Sequence, residues 1–333
     1  MLLLRSQIQS IFDQHNLGAV TKVDEHFLGF NNKIIFVNDK YVLKIITNDK
    51  NEDKVRKEGL LLEIFRNILP VAKIIGSDFS KTIIPYSYLL TTRIEGNNLY
   101  QVWAQLNNDE RKTIVREIIE CLRIINHTDF SLFVNSGLFR KYVSWADFQN
   151  QEFANSIAIL KERNILDTQT LCLAAKFWES NIHLLQVSND VLAFWDVHFD
   201  NFLIQNNRLV GMLDLEDVDI MSIDYPLQVV RRMSTTPKEY ASEEQEELVL
   251  DEDYAEIYGW FGAYYNEAFS FENIETRVDM YYLAYDLKIL CDWPLAEDRK
   301  ERVREFLNSL QKIRGAPGFP ASNRITFSYL SWL

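Results

Sequence analysis

Residues 194–217, FWDVHFDNFLIQNNRLVGMLDLED, gather the side chains of this chain best suited to hold a hard cation and to move a proton. Asn206-Asn207 is a two-residue turn signal between apolar runs. With Gln205 opposite Arg208, the register places Asn201 opposite Met212, and Asp214 two residues further along the same face. Diagonal neighbours of this kind stand roughly 7 to 8 Å apart at Cα. A carbonyl oxygen and a carboxylate there share one cation such as Mg²⁺, which takes oxygen ligands and keeps some of its waters. Asp196, just past the preceding strand, is placed to approach whatever the metal holds. Taken singly, Asp and Asn are ordinary turn residues. A second pair lies far away in sequence: Lys44 ends the run Tyr41-Val42-Leu43-Lys44, and Glu58 sits on the helix that follows. A lysine at the end of an apolar strand needs a partner, and a carboxylate on the next helix supplies it while the ammonium contacts phosphate oxygens.

Other acidic groupings carry less. Asp214, Glu216, Asp217 and Asp219 have neither the glycine at the sixth position nor the glutamate at the twelfth that a calcium loop requires. His198 and Asp200 have no second histidine close in sequence, and His198 reads as a residue that orders the loop. The acidic run 243–253 either draws a cationic ligand or is a solvated surface segment.

The elements that must position these residues follow from pattern. Residues 33–37 and 41–45 are β-rich runs around Asn38-Asp39 and read as a hairpin. Val55, Leu61, Leu62 and Phe65 fall at helical spacing within 53–65, and Pro70 marks the end of that helix. Residues 83–94 read as one strand, stopped by Glu95-Gly96. Beyond Gly96 the pattern turns helical, with a stripe from Ile114 to Ile125 that closes at His127, a cation near a helix C-terminus. Ser144 is the N-cap candidate of a helix starting at Trp145. Strands at 191–194, 202–205 and 208–213 form a second β island, and helices continue to about Ile313. The tail, with Phe327, Tyr329 and Trp332, reads as a docked aromatic segment.

Composition narrows the class. The 333 residues are 47% hydrophobic, with 11 glycines and 7 prolines, which excludes a disordered or collagen-like chain and favours a helix-rich α+β fold. Three scattered cysteines without a CxxC suggest neither a zinc cage nor a disulfide framework. No signal peptide or membrane span is recognisable, so the cytoplasm is expected, with no membrane partner. A net charge of −13 argues against nucleic acid. Residues 1–95 carry 13 basic and 11 acidic side chains, against 22 and 37 in residues 96–333.

Lys44 in YVLK, Glu58 in RKEG, Asp196 and Asn201 in DVHFDN, and Asp214 in GMLDLED together resemble the aminoglycoside phosphotransferase and choline kinase family, small-molecule relatives of the protein kinases. The resemblance runs from about residue 25 to 230. It implies a protein-kinase-like, two-lobed fold: a small β-rich nucleotide-binding lobe at 1–95 and a larger, mainly helical catalytic and substrate-binding lobe at 96–333. By the same resemblance Asp196 is the catalytic aspartate, Asn201 and Asp214 are the Mg²⁺ ligands, and Lys44, held by Glu58, meets the phosphates of ATP or GTP. Thr92, Arg93 and Ile94 would be the hinge, offering backbone groups to adenine, and Gly29, Asn31 and Asn32 the phosphate loop, which here lacks GxGxxG. Asp224 resembles the family's brace of the catalytic loop. Phe194 and Trp195 stand where the family usually has a histidine and often a glycine. The implied reaction moves a γ-phosphoryl group to a hydroxyl of a small molecule, cationic given the acidic body of the chain. The alternative is a lapsed pseudokinase that binds nucleotide as an interaction module.

Overall fold

The computed structural model describes residues 4–26, 32–241 and 245–314. Gly29, Asn31, the first residues of the acidic run and the aromatic tail lie outside them. In chain order the elements are α1 (Arg5–Gln14), β1 (Val23–His26), β2 (Asn32–Val37), β3 (Tyr41–Ile46), α2 (Glu52–Phe65), β4 (Ile74–Asp78), β5 (Tyr88–Thr92), β6 (Asn97–Asn98), α3 (Leu99–Trp103) and α4 (Asn108–Asn126). They continue with α5 (Trp145–Glu162), α6 (Thr168–Asn181), β7 (Asp190–Phe194), β8 (Phe202–Gln205), β9 (Arg208–Met212), β10 (Val218–Ser222), α7 (Leu227–Thr235), α8 (Asp251–Tyr254), α9 (Ile257–Tyr264), α10 (Ile274–Asp292) and α11 (Glu297–Arg314). Two compact units emerge, Met1–Trp145 with Val187–Ile274, and Ala146–Gln186 with Glu275–Leu333.

The first unit opens with an antiparallel sheet in the order β1-β2-β3-β5-β4. Asn38 and Asp39 turn the β2–β3 hairpin with φ of 54° and 56°, a left-handed conformation that Asn and Asp tolerate better than most residues. Period-2 alternation sends Ile35, Val37, Leu43 and Ile45 to one face, where Ile8, Ile11 and Phe12 of α1 cover them. Lys44 therefore points to the opposite face, toward α2. The expected strand over 83–94 is shorter, since β5 begins only at Tyr88. Pro85 has no N–H to give a ladder, and Lys81 is left-handed at φ 59°. The edge strand β4 carries Gly76 at a bulge, where a Cβ would lie 2.0 Å from Cε1 of His15.

The second β island divides. β7 pairs antiparallel with β10, and β8 pairs with β9 on one side and β6 on the other. Asn206 and Asn207, at φ 52° and 58°, form the expected turn, and Gln205 does face Arg208. The ladder then slips between Ile204 and Leu203, so that Phe202, not Asn201, stands opposite Met212. Val210 is the extra residue of the bulge. Gly211 permits it, because a Cβ there would lie 3.1 Å from both Leu203 Cβ and Ile94 Cγ2.

Within the second unit, Phe153 of α5 stacks on Trp178 of α6 at 4.2 Å, and Phe177 meets Phe306 of α11 edge-on. Asp286 of α10, 2% exposed, is paired with Arg299 at 2.5 Å. No helix among the described residues is long and apolar enough to cross a membrane.

Candidate active site

Lys44 lies on the central strand β3, between Ile34 and Leu89 in register, and is 9% exposed. Its Nζ donates to Glu58 Oε2 at 2.7 Å, Asp214 Oδ1 at 3.1 Å and Glu216 Oε2 at 3.3 Å. Strand, helix and the loop after β9 thus meet at one ammonium. Burial opposes its charge, but the three carboxylates outweigh burial and hold its pKa well above the ordinary lysine value. Burial pushes the Glu58 carboxyl up to about 7, with Asp214 and Glu216 adding to the effect and Lys44 opposing it. Asp214 is shifted the other way, held below the usual carboxylate range chiefly by Lys44, and its side chain is 53% exposed. Its backbone is left-handed, φ 53° and ψ 47°, which aims the residue out of the strand direction. Such conformations cluster at functional sites.

The second half of the site comes from the turn after β7. Asn201 Nδ2 donates to the Asp196 carbonyl at 2.8 Å, and Leu213 N–H donates to the Asn201 carbonyl at 2.9 Å. These two bonds tie Asp196, Asn201 and the residue before Asp214 together despite the register slip. His198 Nε2 lies 3.1 Å from Asp196 Oδ2. Burial lowers the His198 pKa, but Asp196, Asp200 and Asp214 raise it further than that. Phe194, at the usual histidine position, is fully buried and meets Phe202 edge-on, while Trp195 is half-buried. Asp224 is fully buried and accepts a hydrogen bond from Ser222 Oγ. His127 caps the end of α4, with Nδ1 2.7 Å from the Arg123 carbonyl.

The expected base-side and phosphate-side residues are only partly in view. The N–H groups of Thr92 and Arg93 are spent on the carbonyls of Lys73 and Lys40, at 2.8 and 2.7 Å. Ile94 follows them on the chain, with Gly96 packed against Leu203, Ile204 and Val210. Asn32 begins β2, and its buried Oδ1 has no hydrogen-bond partner among the described residues.

Five residues take part that the sequence reading did not assign to the site. Glu216 enters as a third carboxylate on Lys44. Asp217, just beyond it, is pushed up to about 7 by burial and by Asp196 and Glu216, and its carbonyl accepts from Trp195 N–H. Asn98 donates to the side chain and carbonyl of Asp200 at 2.8 and 3.1 Å, while its own Oδ1 caps α3. Lys57 pairs with Asp219 at 3.2 Å.

The residues present fit a magnesium ion. Asn201 spends its amide N–H on Asp196, which leaves Oδ1 without a protein donor among the described residues. Three carboxylates face one ammonium, an excess of negative charge that a divalent ion would balance. Among the described residues no group of three or more His, Cys, Asp or Glu is arranged to hold a metal unaided. A magnesium ion held through one or two protein oxygens would take its remaining ligands from phosphates and waters.

This is a kinase-like fold of the aminoglycoside phosphotransferase type, with an N-terminal antiparallel sheet and a helical C-terminal part. The sequence profile of the phosphotransferase enzyme family matches residues 27–258, and the chain belongs to that family. Comparison with curated proteins finds no match. Among solved structures, the GDP and kanamycin complex of APH(2'')-IIia is similar with a TM-score of 0.66 and 17% identity, over 94% of this chain and 100% of that one. The ternary complex of APH(2'')-IIa with streptomycin and ATP gives 0.63 and 14% identity, over 93% and 97%. A thermostable APH(4)-Ia mutant with ADP and hygromycin B also gives 0.63 and 14%, over 92% and 98%.

Proposed function

We propose that this chain is a cytoplasmic kinase that transfers the γ-phosphoryl group of ATP or GTP to a hydroxyl of a small cationic molecule. Residues 1–95 serve as the nucleotide-binding lobe and residues 96–333 as the catalytic and substrate-binding lobe. The observation that carries the reading is the convergence of Glu58, Asp214 and Glu216 on Lys44, from elements up to 172 residues apart in sequence. Lys44, held by Glu58, meets the nucleotide phosphates. Gly29, Asn31 and Asn32 supply the loop above them, and Thr92, Arg93 and Ile94 the wall beside the base. Asn201 and Asp214 hold Mg²⁺, which when bound offsets charge on the phosphates. Asp196 orients the acceptor hydroxyl and accepts its proton. Phosphoryl transfer depends on positioning and charge neutralisation, so this small set suffices.

The acidic excess of residues 96–333 supports a cationic acceptor, as do the aminoglycosides named in the similar structures. No observation favours the lapsed pseudokinase. The deciding experiment pairs Asp196→Asn with Asp214→Asn and measures nucleotide affinity and transfer to a panel of aminoglycosides and amino alcohols. Asp196→Asn should keep nucleotide affinity within about two-fold and lose roughly 10² to 10⁴ in transfer rate. Asp214→Asn should lose both. Transfer at the parental rate by Asp196→Asn would remove that residue from the reaction.

A further inference from the structure

Lys57 precedes Glu58 on α2, and consecutive helical residues project about 100° apart, so the two side chains meet different elements. Lys57 is 6% exposed. Its Nζ bonds Asp219 Oδ2 at 3.2 Å and stands 5.7 Å over the ring of Phe139. Asp219 is itself fixed, since its Oδ1 accepts the N–H of Arg140 at 2.7 Å and that of Ile220 at 2.9 Å.

The location of Asp219 gives the pair its meaning. It sits on β10 opposite Ala193 of β7, one step from the Phe194–Val218 pair. Asp196 follows the end of β7, and Asp214 precedes the start of β10. The β7–β10 ribbon therefore delivers both Asp196 and Asp214 at its one end. A helix anchored only through Glu58 could still roll about its axis, and a roll of a few tens of degrees would carry the carboxylate off Lys44. The apolar face of α2, with Val55, Leu61 and Phe65 buried, limits that roll, and a second buried polar anchor one residue from Glu58 narrows it further.

We propose that Lys57 is a positioning residue: its buried ion pair with Asp219 fixes the roll of α2 on the β7–β10 ribbon and so keeps Glu58 on Lys44 in register with Asp196 and Asp214. The proposal rests on the phosphotransfer reading of the site. Lys57 is engaged by Asp219 and Phe139, and its influence on the site runs through Glu58. Its effect on transfer must therefore vanish once residue 58 carries no acceptor for Lys44, whereas a merely structural pair would cost the same in either background.

The test compares Lys57→Met in the parent and in Glu58→Ala, which leaves no acceptor at position 58, with Asp219→Asn and the double variant alongside. Asp219→Asn keeps an oxygen for the N–H groups of Arg140 and Ile220, so it removes the charge pair with little else. Each single variant should lower kcat/KM for nucleotide about ten-fold in the parent and less than about two-fold in Glu58→Ala, as expected for residues acting as one unit. The double variant should be no worse than Lys57→Met. Equal losses in both backgrounds would overturn the proposal. Hydrogen exchange of α2 amides, measured without nucleotide, supplies a second readout: Lys57→Met and Asp219→Asn should both speed exchange in 52–65 while leaving α4 unchanged. Unaltered exchange in α2 would also overturn it. If the parent transfers phosphate to no acceptor of the panel, the phosphotransfer reading fails by itself, and the exchange result still decides whether the pair holds α2.

Discussion

Glu58→Gln should stabilise the nucleotide-free protein above neutral pH while impairing its use of nucleotide. Burial, with Asp214 and Glu216 adding, leaves the Glu58 carboxyl titrating near 7 instead of 4.5. Because its folded pKa is raised, the stability it contributes is fully present below pH 4.5 and is lost as the pH climbs through 7. Linkage puts that loss at about 3 kcal/mol. Asp214 is depressed, so its contribution is lost only as the pH falls through its folded pKa, below 3.8, outside this window. Asp217, also raised to about 7, titrates in the same window in both proteins and cancels in the difference. Glutamine keeps an acceptor for Lys44, which retains Asp214 and Glu216, and it abolishes the titration. Urea unfolding at pH 5, 6, 7 and 8 measures the difference. The two proteins should converge near pH 5 and separate by about 2 to 3 kcal/mol at pH 8, with the variant more stable. ATP with Mg²⁺ should raise the melting temperature of the parent more than that of the variant, since binding is linked to the native state. Parallel stability profiles from pH 5 to 8 would refute the assignment of this strain to Glu58.

Two further outcomes follow. Gly76→Ala forces a Cβ to 2.0 Å from the His15 ring and should cost about 1 to 3 kcal/mol in urea unfolding, with much of the loss recovered in His15→Ala/Gly76→Ala. For the best acceptor of an unbiased panel, kcat/KM should fall as salt rises from 0.05 to about 0.5 M, because screening shortens the reach of the acidic surface; an anionic best acceptor would contradict the charge argument.

Much of the frame was legible because local rules and tertiary demands agree. Asn38-Asp39 and Asn206-Asn207 tolerate the left-handed turns their hairpins need, and the apolar stripe of α4 is buried as its period requires. The misreadings have local causes that single-chain periodicity does not expose. Pro85 and the left-handed Lys81 cut a β-rich run short, so composition overstated β5. The bulge at Val210 depends on a glycine whose absent Cβ leaves room for Leu203 and Ile94, and Ile94 comes from more than a hundred residues earlier in the chain. The helix α1 is short, and it earns its place by covering Ile35, Val37, Leu43 and Ile45.

The same division runs through the site. Lys44, Glu58, Asp196, Asn201 and Asp214 stand out because a charge ending an apolar strand or an amide at a hairpin's open end is conspicuous locally. Glu216, Lys57 and Asp219 are not, since each reads as an ordinary charged residue of a helix or turn. Lys57 and Asp219, 162 positions apart, become informative only when the fold brings them to 3.2 Å in a place with little water. Glu216 is the sharper case. The sequence offers it as one of four acids near a turn, and only the fold selects it as the partner of a lysine 172 residues away. A buried charge must find a counter-charge, so each apolar surrounding for a lysine is a demand for an acid that the sequence cannot locate. Counting such demands against the acids able to meet them shows more carboxylates at Lys44 than the ammonium can neutralise, and that surplus is the structural reason to expect a cation in the site.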